Sequence, residues 1–598
     1  MVRLIKVIFQ VLFFAGLVPA VNCQDKYQLL NRTDRKEIVK PAAVISEAIF
    51  LHTDREEYIA GENCWFTAYL VETGKGAGSA VSSFAYIELL NAERNPVVQK
   101  GISLFERSGH GMFVMPDTLS SGSYILRAYT NLMKNLPPEN CFMKIITIYN
   151  SLKHRDYHEI ISVGQYKDRM SEASSSPYTI SGDELSQIFS VRAPDSTAKR
   201  EKITLDITAG RNAVRSAVIT NLSISVAPWT GRMEETYVHN TSSREPVSYS
   251  PSAQEYKAEI TGRIIHGSLL SQNTGEDLAD RIILLSVPGK EAYFRYAITD
   301  GNGKFTFNIH KDENPGELVI QQLNKDNNNL IRIESSFWDR YPDIEIRDDS
   351  LYREIPQYIS DWSENYQVSK IYGISHSGDP LPTQKMKDKK PRFYGVPDME
   401  LLMADYVLLP SMQEVFYELI PGVSMKTGRK NYGITVVNPL ENRQYEEEPT
   451  LMIDGVIINE SSLMVEMSTE KVERIDVMRN EYVSGGYHFY GIVNLITKTG
   501  DFSNLPLPEN SIRFPYAVTD QEEIPFTAPD YSDPAVKISR VPDFRNTLYW
   551  NPSLKPDSEG SVKAEFWSSD MVSDYLITIY GITGSGKIIS QKKLIKVR

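Results

Sequence analysis

The stretch EAIFLHTDREEYIAGENCWFTAYLVE, residues 47–72, decides the fold class. Ala60-Gly61-Glu62 reads as a turn, after which Cys64, Phe66, Ala68 and Leu70 alternate with Trp65, Thr67, Tyr69 and Val71. A period of two puts successive side chains on opposite faces of a strand, and apolar residues on both faces describe a strand inside a packed sandwich. Similar segments follow at 83–90, 111–115, 122–130 and 142–149, divided by turn signals at Asn91–Asn95 and Leu119–Gly122. Short strands punctuated by turns predict an all-β sandwich over 46–150.

Working outward, residues 151–200 read as a linker, with the polar run Ser171–Pro177 at their centre. Residues 201–229 are a further β segment, with strands at Lys202–Ile207 and Asn221–Ala227, and 230–255 are again linker. Residues 256–346 form another β-domain, with alternating segments at 258–265, 281–287, 292–299 and 304–309. Asp300-Gly301-Asn302-Gly303 joins the last two as a hairpin turn; a calcium loop would need later ligands and a distal glutamate. Residues 347–400 are an irregular connector, helical at 350–366.

A compact α+β unit spans 401–503. Ser411 and Glu414 fit a capping box opening a short helix whose buried stripe is Val415, Phe416, Leu419 and Ile420, stopped by Pro421-Gly422. Strands follow at 451–458, before Met478 and at 491–498, with Asp454-Gly455 as a turn and Gly485-Gly486 as a second. A Pro-rich linker (504–543) leads to a C-terminal β segment (544–598), either a final sandwich or strands completing an earlier one. The expected fold is multidomain and mainly β, with tandem sandwiches and one small α+β domain.

At the N-terminus, Arg3 and Lys6 precede an apolar stretch from Val7 to Val18. That pattern, over 1–23, is a signal peptide's, and the stretch is short of the about 20 residues a membrane-spanning helix needs. Residues 24–45 read as an N-terminal linker. Ala20-Val21-Asn22-Cys23 is either a degenerate lipobox, with Cys23 lipidated and anchoring the chain, or lies beside an ordinary cleavage site.

The 598 residues are 41% apolar and 10% aromatic, which is globular composition for several domains. A net charge of −13, with no basic run beyond 387–392, excludes nucleic acid as an expected partner. Cys64 and Cys141 allow one disulfide or two separate buried thiols. No spacing suits a metal, and no cofactor is expected. His158-Glu159 begins like a zinc-protease helix, but Ser162 stands where the second histidine belongs. Gly373–Ser377 resembles a nucleophile elbow whose closing glycine is displaced to Gly378. There is no phosphate-binding loop or dinucleotide glycine pattern, so no enzyme activity is expected.

EEYIAGENCWFTAYLVE, with SGSYILRAYTN downstream, resembles macroglobulin-like β-sandwich domains of Bacteroidetes envelope proteins. Residues 258–309 resemble the carboxypeptidase-regulatory-like (transthyretin-like) sandwich. PSMQEVFYELIPGV, LMIDGVII, KVERIDVMRNEY and YGIVNLITKTG resemble a TonB-dependent receptor plug, and TLYWNPSLKPDSEG is similar to the C-terminal part of plug-containing, macroglobulin-like envelope proteins. A plug normally sits inside a barrel of about 22 strands, and roughly a hundred residues follow Gly500, so a plug-like unit without its pore is expected. Neither Asn63-Cys64-Trp65 nor Asn140-Cys141-Phe142 matches the Cys-Gly-Glu-Gln setting of a thioester trap.

The resemblance implies an exported, non-enzymatic protein-binding scaffold or accessory subunit of a bacterial outer-membrane complex for nutrient uptake, secretion or barrel assembly. It would sit at the periplasmic or surface face, with an outer-membrane barrel or lipoprotein as partner. Glu473, Arg474 and Arg479 are the candidate partner face. The alternatives are a surface glycan-binding or adhesin-type protein, suggested by 33 tyrosines, and a macroglobulin-like protease-binding protein that lacks a thioester.

Overall fold

A computed structural model describes residues 43–44, 47–73, 80–150, 161–162, 189–209, 219–231, 248–249, 256–271, 277–310, 316–323, 329–342, 347–348, 357–372, 392–427, 432–440, 442–484, 486–503, 505–507, 510–516, 526–558, 560–584 and 586–598. Strands hold 50% of the described residues and helices 11%, so the chain is a mainly β, multidomain protein. Among the described residues no helix is long and apolar enough to cross a membrane.

The N-terminal sandwich packs a three-stranded sheet on a five-stranded one. The first holds Glu47–Thr53, Asn63–Glu72 and Ser108–Val114; the second runs Glu57–Ile59, Phe142–Tyr149, Gly122–Tyr129, Phe84–Leu90, Pro96–Ser103. Strand Asn63–Glu72 is central to its sheet and buried along nearly its whole length, which is why both of its faces are apolar. Its core joins Phe50, Phe66, Tyr69, Ile87, Leu126 and Ile146.

The C-terminal β segment is not a separate sandwich. Lys202–Ala209 pairs antiparallel with Ser561–Trp567, and Ile219–Pro228 lies between Ser573–Thr583 and Tyr549–Leu554. The two segments share one core, in which Ile203, Leu205, Leu222 and Ile224 meet Val562, Phe566, Ile577 and Ile595. Two more strands of this composite sandwich, Phe189–Arg192 and Ser196–Thr197, fall inside the expected 151–200 linker.

The same nesting recurs one level down. The middle sandwich packs Lys304–His310, Gly262–Leu270 and Leu330–Ile333 against a sheet ordered Tyr293–Ile298, Ile282–Val287, Glu317–Gln322, Ser511–Pro515. Its last strand comes from the expected Pro-rich linker; Ile512, Phe514 and Tyr516 are apolar enough to close its core. The α+β unit is therefore inserted in the middle sandwich, which is itself inserted in the composite one.

The α+β unit has a five-stranded sheet ordered Met399–Leu402, Val472–Met478, Ile492–Thr497, Thr450–Ile453, Val456–Ile457. Helix Met412–Leu419 begins where Ser411 accepts a hydrogen bond from the Glu414 amide, and buries Met412, Val415 and Phe416. The connector helix runs Gln357–Ile371, later than the expected 350–366.

Asp454 and Gly455 both have positive φ, 49° and 77°, as a two-residue hairpin turn requires. The buried Asp454 carboxylate accepts from Thr497 N at 2.6 Å, Thr497 Oγ1 at 2.7 Å and Phe502 N at 2.9 Å, fastening the turn to the last strand. Asp454→Ala leaves the Thr497 and Phe502 amides without this acceptor. Each buried unsatisfied group costs about 1–3 kcal/mol, so a loss of roughly 3 kcal/mol or more is expected for this unit in urea unfolding.

Candidate functional site

The chemistry-bearing side chains gather where domains meet. Between the N-terminal and composite sandwiches, His52 Nδ1 lies 2.6 Å from Ser223 Oγ and Nε2 lies 3.2 Å from Ser225 Oγ, while Tyr69 OH donates to Ser223 Oγ at 2.6 Å. Serine beside histidine suggests a nucleophile, but His52 and Ser223 are fully buried and the histidine's second contact is a hydroxyl, not a carboxylate. The cluster is a polar lock between two apolar layers.

A second lock lies beside it. Asp54 accepts from Trp65 N at 2.9 Å, Tyr58 OH at 2.7 Å and Thr547 Oγ1 at 2.6 Å. Glu62 accepts from Ile59 N at 2.8 Å, Arg55 Nη1 at 3.0 Å and Asn546 Nδ2 at 2.7 Å. Asn546 and Thr547 belong to the C-terminal segment, so these carboxylates hold distant parts of the chain together. A cavity of about 80 Å³ opens nearby, lined by Arg55, Glu57, Lys144, Trp229, Trp362 and Lys592 among others. Lys144 there donates to Thr53 Oγ1 at 2.8 Å and pairs with Glu56 at 3.3 Å, so the charges of the wall answer one another.

Between the N-terminal sandwich and the tail of the middle one, Arg127 and Glu88 pair directly across two strands, both fully buried. Arg127 also donates to the carbonyls of Arg340 and Trp338, at 2.7 and 2.6 Å.

Of the expected partner face, Arg474 is turned inward, while Glu473 and Arg479 stay partly exposed. Glu473 pairs with Lys290 of the middle sandwich. Arg474, 7% exposed, donates to Lys290 O at 2.6 Å and lies 3.0 Å from Asp476, an ion pair not aligned as a hydrogen bond. Arg479 packs its chain over Gly422, with its amide on Asp398 at 2.6 Å. Glu473 and Arg474 thus both touch the neighbouring domain through Lys290. Burial raises the Asp476 carboxyl above its ordinary range, and Tyr394 OH, donating at 2.8 Å, opposes that.

Cys64 and Cys141 are both free and buried, so the disulfide reading is corrected to two separate thiols. Burial pushes the Cys141 thiol up to about 12 and that of Cys64 higher, which keeps both protonated and unreactive. In the Asp300–Gly303 turn, the Asp300 carboxylate accepts from Asn302 N and Lys304 N, each at 2.9 Å. Among the described residues no cluster of His, Cys, Asp and Glu could hold a metal. Cys23, His158, Glu159 and Gly373–Ser377 lie outside the described residues.

No protein-family model and no curated protein matches the chain. Among solved structures, it is similar to an alpha-2-macroglobulin of Salmonella reacted with methylamine, at 8% identity and TM-score 0.23, covering 94% of this chain and 40% of that one. An elastase-activated Escherichia coli alpha-2-macroglobulin gives 8% and 0.23, covering 92% and 44%. Dimeric latent PorU from Porphyromonas gingivalis gives 9% and 0.15, covering 48% and 33%. The chain thus spans under half the length of these proteins.

Proposed function

We propose that the protein is a non-enzymatic, protein-binding scaffold, exported and acting as an accessory subunit of a bacterial outer-membrane complex, with its plug-like α+β unit as the docking element. One observation carries the reading. Tyr406, Val407 and Leu408 form a consecutive apolar run, 47%, 88% and 50% exposed. Exposed apolar runs of this kind are unfavourable unless covered by a partner. The run follows Met399–Leu402, an edge strand of the five-stranded sheet, and a strand edge can accept another chain by main-chain pairing. The polar residues at the domain junctions are bonded within the chain and so support cohesion, not turnover. The partner chemistry this favours is an outer-membrane barrel protein presenting an apolar strand.

The test is recovery of partners by a C-terminally tagged chain carrying a photo-crosslinker at Leu408, from mildly solubilised envelopes. A stoichiometric barrel protein crosslinked at that position is expected. Val407→Asp should lower its recovery about tenfold, since one buried apolar side chain contributes about 1.5–3 kcal/mol. A chain that purifies alone, or capture indifferent to Val407→Asp, overturns the reading.

A further inference from the structure

Glu259 is 1% exposed and lies where the middle sandwich meets the N-terminal one. Its main-chain oxygen accepts from Ser83 N at 2.7 Å and Ser83 Oγ at 2.8 Å. Its Oε1 accepts from Tyr86 OH at 2.9 Å, across the junction, and from Ile264 N at 2.7 Å, within its own domain. Its Oε2 is buried and has no hydrogen-bond partner.

Two cations face this carboxyl, and both direct donors elsewhere. Lys134, from the turn Leu132–Asn135, donates to Ser336 O and lies over the Tyr86 and Tyr256 rings, at 4.8 and 5.4 Å. Arg263 donates to Ser336 Oγ at 3.1 Å and lies 5.0 Å over the Tyr516 ring. Beyond Lys134 stand Glu88 and Arg127, already paired with each other. His266, on the same strand as Arg263, is surrounded by Glu334, Lys257 and Lys304 as well as Lys134.

We propose that Glu259 is a proton-dependent latch between the N-terminal and middle sandwiches, closed when its carboxyl is protonated and loosened when it ionises. The physical reason is the unpartnered Oε2. A neutral carboxyl tolerates burial there, whereas a carboxylate gains by opening the junction to water. Burial holds this carboxyl up at about 7, against an ordinary 4.5. A raised folded value means the contribution is complete below about 4.5 and is lost as pH rises through about 7. Lys134 runs the other way: burial pulls it down from 10.5 to about 8, so its contribution is lost as pH falls across that range. Its window lies above that of Glu259 and does not mask it. Loosening would free the middle sandwich, and the docking unit inserted in it, from the N-terminal one.

The test is amide hydrogen exchange on the full chain from pH 5 to 8, expressed as protection factors so that intrinsic exchange cancels. Protection of the Ser83 and Ile264 amides is expected to fall about tenfold or more across that range, each pH unit between the ordinary and the raised value being worth about tenfold. In Glu259→Gln it should stay level within about twofold. Amides of Val472–Met478, in the α+β unit, serve as the reference and should not respond. Tyr86→Phe removes a donor that favours the carboxylate, so the fall should move to higher pH; this variant carries the test should Glu259→Gln not fold. A level wild-type profile, an equal fall in Glu259→Gln, or no displacement in Tyr86→Phe overturns the proposal.

Discussion

Deleting residues 544–598 is expected to unfold residues 189–209 and 219–228 as well, although these precede the deletion by more than three hundred positions. Lys202–Ala209 would lose Ser561–Trp567, its neighbour over seven residue pairs. Ile219–Pro228 would lose both of its neighbours. Ile203, Leu205, Ile207, Leu222, Ile224 and Val226, all buried, would be left on one open face. At about 1.5–3 kcal/mol per apolar side chain, exposing six costs roughly 9–18 kcal/mol, which matches or exceeds the whole stability of a typical domain, about 5–15 kcal/mol. The N-terminal sandwich would also lose the Thr547 and Asn546 contacts to Asp54 and Glu62. Limited proteolysis with mass spectrometry reads the result: new cleavage within 189–209 and 219–228, with protection kept in the α+β unit. Continued protection of those strands would show that the two segments are independent and the shared core dispensable.

The deletion also marks the boundary of what sequence can disclose. The alternation at Cys64–Val71 announces a buried strand because side-chain period is a local property. Ser411 with Glu414, and Asp454 with Gly455, announce a cap and a turn because their bonds span only a few residues. Pairing partners are another matter. Nothing within Lys202–Ala209 says that its neighbour lies beyond residue 560, since a strand's edge presents the same main-chain groups whichever chain segment meets it. Ser511–Pro515 was hidden for the same reason; its proline and short length read as linker, and only the open edge of Glu317–Gln322 makes it a strand. Arg474 reads as a solvated charge because charges on a strand usually are, and Lys290, whose carbonyl it binds, lies far away in sequence. Glu88 and Arg127 did leave a trace: each is one charge within an apolar run, Ile87-Glu88-Leu89 and Leu126-Arg127-Ala128. Opposite charges in two buried strands of one domain signal a buried pair.

That pair supports the second large effect. Arg127→Ala is expected to destabilise the N-terminal sandwich by about 3–5 kcal/mol, the cost of leaving a buried charge without its partner. Glu88 Oε2 now accepts from Arg127 Nε at 2.7 Å and Tyr129 OH at 2.8 Å, and Oε1 accepts from Gln99 Nε2 at 2.7 Å. Two neutral donors remain after the substitution, too few to balance a fully buried carboxylate. The guanidinium also lies 4.5 Å from the Tyr341 ring and binds the carbonyls of Arg340 and Trp338, so its loss frees the tail of the middle sandwich. The decisive comparison is the double variant Glu88→Leu/Arg127→Met, in which no uncompensated charge is buried. It should recover a large part of the lost stability, while the carbonyls of Trp338 and Arg340 stay unpaired and keep the recovery incomplete. Urea unfolding followed by exchange of the sandwich amides measures all three proteins. A double variant as unstable as Arg127→Ala would place the effect in packing of the arginine's carbon chain and its tail contacts. Full recovery would mean that the tail is held by its apolar residues, Phe337, Trp338 and Tyr341, without help from Arg127.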